Sequence, residues 1–230
     1  MPVLKNKAAG RRLLLSKSVY SIVLMDEVVE AVDRLAYEAG TNRSNMINRI
    51  LAEYASMATP EQRVQDIFSS ITDFVSEQNA LQLMLSASDA MLSLRSAIRY
   101  KYNPSMRYVV ELYPHSGEEL GEVRAGLRTQ NPSLLLAIGQ FYKLWAGLEA
   151  AYLSGPPRKS DAQGGRFARR LRLPGHIATS EEAGHAIAAY IALFDACLKT
   201  FFEYLDTPAD APRAVEGCYR QGLDGETAQL

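Results

Sequence analysis

A few short stretches of the sequence carry residue types that can do chemistry. Asn42-Arg43-Ser44 joins a helix-capping amide to a guanidinium and a hydroxyl. At a helix start, free backbone N–H groups and the dipole attract phosphate, and Arg43 and Ser44 can complete such a clamp. Taken alone, the triplet is also a plain N-cap followed by a solvated charge. Glu182-Ala183-Gly184-His185 has the Glu-x-x-His spacing of di-iron carboxylate bundles, which need two copies and two further glutamates. Only one copy is present, and its glutamates suit a helix start, so no metal is expected. His115 and His176 stand in turn-like contexts without convergent ligand spacing. Cys197 and Cys218 make neither a disulfide framework nor a metal spacing, which suits a reducing cytoplasm. Gly164-Gly165 lacks the flanking strand and helix of a nucleotide loop, and no nucleophile signature occurs. No enzyme activity and no cofactor is expected.

The elements that would position these groups follow from periodicity. Val19-Tyr20-Ser21-Ile22-Val23-Leu24 is β-rich and predicts a short strand. From Asp26 the period becomes helical through Val28, Val32, Leu35, Ala36 and Ala39, with Gly40 as the stop. A second helix starts at Asn42 and places Met46, Ile47, Ile50, Leu51 and Tyr54 on its inner side. Thr59-Pro60-Glu61-Gln62 opens a third, so a boundary falls near residue 58. The low charge of Gln78–Leu94 predicts a central buried helix, interrupted by Asn103-Pro104. Arg107–Tyr113 and Glu122–Arg128 read as a small β-hairpin. Further helices run from Asn131-Pro132 towards Leu153 and from Ser180 towards Leu205. Between them, Gly155–Gly175 reads as a loop or as containing a third short strand at Phe167–Leu173.

Residues 17–57 resemble the ribbon-helix-helix DNA-binding family (the Arc, MetJ and CopG type). The resemblance rests on Ser21 to Ala36, then on Gly40 followed by Asn42-Arg43-Ser44 and Ile47 at the right distance from the strand. It implies an obligate homodimer whose two strands, one per chain, form an antiparallel ribbon in the major groove of double-stranded DNA. Strand alternation then turns Tyr20, Ile22 and Leu24 towards the helices. Lys17, Val19, Ser21 and Val23 face outward, where Ser21 can reach base edges and the valines a thymine methyl. Asn42, Arg43 and Ser44 would hold phosphate. The segment alone is too short for an adequate monomeric core, which agrees with a dimer.

The chain-wide expectation is mainly α with minor β. Residues 1–16 form a basic flexible arm, 17–58 the ribbon-helix-helix unit, 59–206 a mainly helical sensor or interaction domain, and 207–230 a disordered tail. Of the 230 residues, 47% are apolar and 22% charged, which permits a sizeable core. The net charge of −1 means that any nucleic-acid surface is local. The arm carries Lys5, Lys7, Arg11, Arg12 and Lys17 without an acid. Arg158–Arg172 is a second basic stretch, read as a solvated loop or as a contact for flanking DNA or an acidic partner. Aromatic positions in the last two helices read as core, with a small effector between helices as the alternative. Together these predict a cytoplasmic bacterial repressor with no membrane contact, its helical domain open to an effector or protein partner. The alternatives are a plasmid or mobile-element accessory factor and an antitoxin or adaptor.

Overall fold

The computed structural model describes residues 21–55, 59–78, 80–85, 88–101, 103–114, 116, 119–153, 160–172 and 179–223. Most of the helices begin where a side chain satisfies their first N–H groups. Helix α1 (Asp26–Glu38) opens on two acids that complement its dipole, and Gly40 at φ 61° follows its end. Helix α2 (Arg43–Tyr54) is capped by the Asn42 side chain, which accepts from the Asn45 N–H. Helix α3 (Pro60–Glu77) is capped by Thr59, with Pro60 in the first turn. The Gln62 amide reaches forward to Asp66 instead of closing a capping box.

Beyond α3 the chain builds β1 (Gln82–Met84), β2 (Met91–Ala97), β3 (Ser105–Leu112) and β4 (Gly121–Leu127), then α4 (Pro132–Tyr152). A hairpin of β5 (Ser160–Gln163) and β6 (Arg166–Leu171) follows, then α5 (Ser180–Glu203) and α6 (Ala211–Gly222). The strands form one antiparallel six-stranded sheet in the order β1-β2-β3-β4-β6-β5. This overturns the expectation of a mostly helical domain with a small hairpin. The expected pair is present as β3 and β4, but at the centre of a sheet. The described residues of the 78–94 stretch form no helix: α3 ends at Glu77, and Leu92, Leu94 and Ser96 alternate inward along β2. Their low charge reported burial, which a core strand and a core helix share. Asn103-Pro104 lies in the β2–β3 connection, with Asn103 at φ 43°, a left-handed position that asparagine tolerates. Gly164 and Gly165 have φ of 55° and 78°, the pair of positive angles that a two-residue hairpin turn of type I′ requires.

The N-terminal unit also departs from expectation. Residues 21–25 lead extended into α1 but belong to no strand, because a strand exists only through a ladder and they have no partner. Among the described residues the N-terminal unit is therefore a helix pair without a ribbon. Lys17, Val19 and Tyr20, with the arm at 1–16, lie outside the described residues. The expected disordered tail is corrected as well. Residues 211–222 form α6, which buries Ala211, Val215 and Tyr219 against α5 and α4.

One core joins the inner sheet residues to α3, α4, α5 and α6. Its centre is aromatic: Phe194 stands 4.8 Å from Trp145 and 5.2 Å from Phe141, centroid to centroid. Helix α5 is long and apolar enough to cross a membrane, but 67% of that window is buried inside the protein. It approaches α3 most closely at Gly184, where a Cβ would lie 2.7 Å from the Ile67 carbonyl oxygen and 2.6 Å from Ser70 Cβ. Gly184→Ala must push the two helices apart and is expected to cost about 1–3 kcal/mol, as overpacking does. Urea unfolding measures it; a variant as stable as the parent would show that this contact yields freely.

Candidate nucleic-acid interface

The helix pair α1–α2 buries only Val32, Ala36 and Met46, with Ile47 packed against them. Around this small cluster Ile22, Met25, Leu35, Leu51 and Tyr54 are exposed. A groove of about 380 Å³ opens between the helices, lined by Leu35, Ala39, Met46 and Ile50 with Glu38, Arg49 and Glu53. A pair with so little interior cannot offset the conformational entropy of ordering it. Its remaining apolar side chains need a further surface.

The expected contact residues fall into distinct settings. Ser21 and Val23 are exposed on the extended segment, and so are Ile22 and Leu24, so within one chain no inner face is distinguished. Asn42 spends its side-chain oxygen on the α2 cap. Arg43 and Ser44 are exposed at the same helix start. Arg43 is not free, since its Nε and Nη2 donate to the two Asp33 carboxylate oxygens at 2.6 and 2.5 Å. The hydrogen bonds from Arg43 hold the Asp33 carboxyl below its ordinary range. This fork links the two helices and does not engage Arg43 Nη1. No local pattern foretold it, because the two residues meet only when α2 folds back on α1.

The remaining candidates resolve differently. Glu182 closes a capping box with Thr179, and His185 is exposed with its ring edge-on to Phe74. His115 and His176 lie outside the described residues, as do Arg158 and Lys159. The basic stretch at 158–172 is not a solvated loop, because β5 and β6 run through it. Arg169 is buried, 3.2 Å from Glu149 and stacked 4.2 Å over Tyr190. Arg170 pairs with Glu119 and Glu122. Tyr142, Trp145, Tyr190, Phe194, Phe201 and Phe202 pack on one another in the core, as their helical positions predicted.

The surroundings of two polar groups did not follow from periodicity. Asp195 is buried in α5 and accepts from Ser96 Oγ at 3.0 Å and Tyr108 OH at 2.9 Å, with Lys199 Nζ at 2.6 Å. The one signal was a lone carboxylate in an apolar helix. Cys197 and Cys218 meet between α5 and α6. Cys197 Sγ donates to the Val215 carbonyl oxygen at 3.9 Å. The neighbouring Cys197 sulfur, with Thr200 helping against burial, holds the Cys218 thiol down to about 6, while the same pairing pushes Cys197 up. Iodoacetamide should therefore alkylate half-buried Cys218 with a midpoint near pH 6, well below the ordinary value of about 8.5. Cys197 should stay unlabelled until the protein unfolds. Mass spectrometry of tryptic peptides across pH 5–9 reads both, and equal labelling of the two thiols would refute the asymmetry. Comparison with protein-family models, with curated proteins and with solved structures finds no match to this chain.

Proposed function

We propose that the chain is a homodimeric DNA-binding protein, acting as a bacterial transcriptional repressor in the cytoplasm. The observation that carries this reading is the incomplete helix pair. Its exposed apolar side chains call for a second copy, while the start of α2 presents Arg43 and Ser44 to solvent. The acid-free segment before it supplies Lys5, Lys7, Arg11, Arg12 and Lys17, charges suited to phosphate. The resemblance of residues 21–47 to a DNA-binding family supports the same reading, although no ribbon forms part of it. The sheet domain, with its filled core, serves as the regulatory or docking body, and its partners bind at its surface.

Sedimentation of the full-length protein should give a dimer, and Ile50→Glu together with Leu51→Glu should give a monomer that no longer retains DNA. A monomeric parent would defeat this reading. Arg43→Ala should weaken binding to all duplexes alike and lower the logarithmic salt slope by about one for each phosphate that a protomer no longer neutralises. Asp33→Asn should do the opposite, because it releases the Arg43 guanidinium and removes a carboxylate facing the phosphates. Fluorescence anisotropy over a salt series on specific and random duplexes checks both. A change in base preference with an unaltered slope would place Arg43 at the bases instead.

A further inference from the structure

The antiparallel register sets Arg95 opposite Arg107, Arg107 opposite Gly126, and Gly126 opposite Arg166. Directly opposed residues share a sheet face, so the arginines form one row across β2, β3, β4 and β6. The row spans about 14 Å, from three strand spacings of about 4.8 Å each. It lies on the face away from the helices, since the alternating neighbours Leu94, Tyr108, Ala125 and Phe167 fill the core. Arg95, Arg107 and Arg166 are all exposed. Among the described residues none of the three has an ion pair, and Arg107 makes one hydrogen bond, to Ser93 Oγ.

The opposite end of this face is built otherwise. There Arg124 pairs with Glu111 and Glu122, and Arg170 with Glu119 and Glu122. The connections bordering the row, residues 98–104 and 128–131, add Arg99, Lys101 and Arg128 and contain no acid. Like charges directly opposite in a sheet repel, and a glycine inside a strand weakens it. Packing does not demand the glycine, since a Cβ at position 126 would meet only Arg166 Cγ, at an ordinary 3.8 Å. Both features disfavour the bare fold, and both favour an anion resting on open backbone between guanidiniums.

We propose that this face is a second DNA contact, in which the phosphate backbone of a duplex crosses the Arg95–Arg107–Gly126–Arg166 row. The inference deepens the DNA-binding reading and rests on it for the identity of the polyanion. Guanidinium forks match phosphate oxygens in pairs, and a row of separated charges matches a repeating anion better than a single ligand. The row is flanked by Ser93, Val109, Arg124 and Ala168, with the exposed carboxylate of Asp161 on β5 beyond Ala168, and with no exposed aromatic side chain of the kind that anchors proteins at a membrane surface.

The test uses the full chain and a labelled duplex. Replacing Arg95, Arg107 and Arg166 together by serine should lower the logarithmic salt slope by about three per protomer, at about 0.9 for each phosphate neutralised. Affinity near 0.1 M salt should fall about tenfold or more. Gly126→Glu, which sets a carboxylate between the arginines, should reproduce much of the loss without deleting any of them. A control lacking Lys143, Arg213 and Arg220 on the exposed helix surfaces should keep the parental slope. Circular dichroism confirms that each variant is folded, and Gly126→Glu decides the matter if the triple variant is not. Parental binding that the row variants leave unchanged, or that the control lowers equally, overturns this inference and spares the helix-pair reading. A parent that binds no duplex overturns both. Row-dependent binding to poly-glutamate or to phosphatidylserine vesicles without binding to DNA overturns the choice of partner.

Discussion

Replacing Arg169 by methionine is expected to destabilise the sheet domain by about 3–5 kcal/mol, the range for breaking a buried ion pair from one side. The guanidinium is 1% exposed and sits on the helix-facing side of β6. It is held 3.2 Å from the Glu149 carboxylate of α4 and 4.2 Å above the Tyr190 ring of α5. Trp145 Nε1 donates to the Tyr190 hydroxyl at 3.1 Å, which locks the ring that the cation covers. Methionine fills the volume but leaves the Glu149 carboxylate, 5% exposed, without its cation. Converting both residues, with Glu149→Leu added to Arg169→Met, should recover most of the loss, because no buried charge then remains. Urea unfolding of the parent, both single variants and the double variant measures the coupling. A single variant that costs under about 1 kcal/mol, the scale of an exposed pair, would mean that water reaches the site.

The starts of the capped helices were legible because they depend on a few adjacent residues. Asn42, Thr59 and Asn131 cap helices where their side chains and the following prolines or polar residues announce them. The β3–β4 hairpin was legible for the same reason, since its strands alternate and a turn joins them. Strand β2 was not. Its Ser93 and Ser96 are buried beside Leu92 and Leu94, so the alternation that marks a half-buried strand is blurred. Helix α6 hid in a stretch of Pro, Ala and Gly because it is stabilised by burying Val215 and Tyr219 on α5, a contact no local pattern contains. The candidate interface divides along the same line. Asn42 was visible as a cap, whereas the Asp33–Arg43 fork and the arginine row arise from helix folding and strand register. Reading Gln78–Leu94 as a helix, and Gly155–Gly175 as a loop or as a short strand starting only at Phe167, separated Arg95 and Arg166, which the sheet brings to one line.

Asp195→Ala should destabilise the protein by about 3–5 kcal/mol, because it strands several partners at once. The carboxylate joins α5 to the sheet, accepting from Ser96 on β2 and Tyr108 on β3 while pairing with Lys199 one turn further along α5. Ser96 and Tyr108 are buried, so without Asp195 their hydroxyls lose a partner that water cannot replace. Lys199 is 32% exposed and can turn to solvent, so it adds little to the cost. Asp195→Asn keeps the shape but offers one acceptor for two donors, and should cost less than alanine. Tyr108→Phe removes one hydrogen bond and leaves the carboxylate its other two partners, which predicts about 1 kcal/mol. The order Ala, then Asn, then Phe in falling cost is the signature of a shared acceptor; equal costs would mean that packing alone is measured. The same network sets an alkaline limit. Burial and then the Asp195 charge push the Tyr108 hydroxyl well above its ordinary value, and burial raises Tyr142 and Tyr190 too. Groups whose pKa is raised by folding stabilise the native state below the unfolded value of about 10. That stabilisation is lost as pH rises beyond it, where the unfolded chain ionises and the folded one resists. These tyrosines should therefore ionise, seen by absorbance near 295 nm, only together with loss of the near-ultraviolet circular dichroism of the core. Ionisation that precedes unfolding would show that the aromatic core admits water.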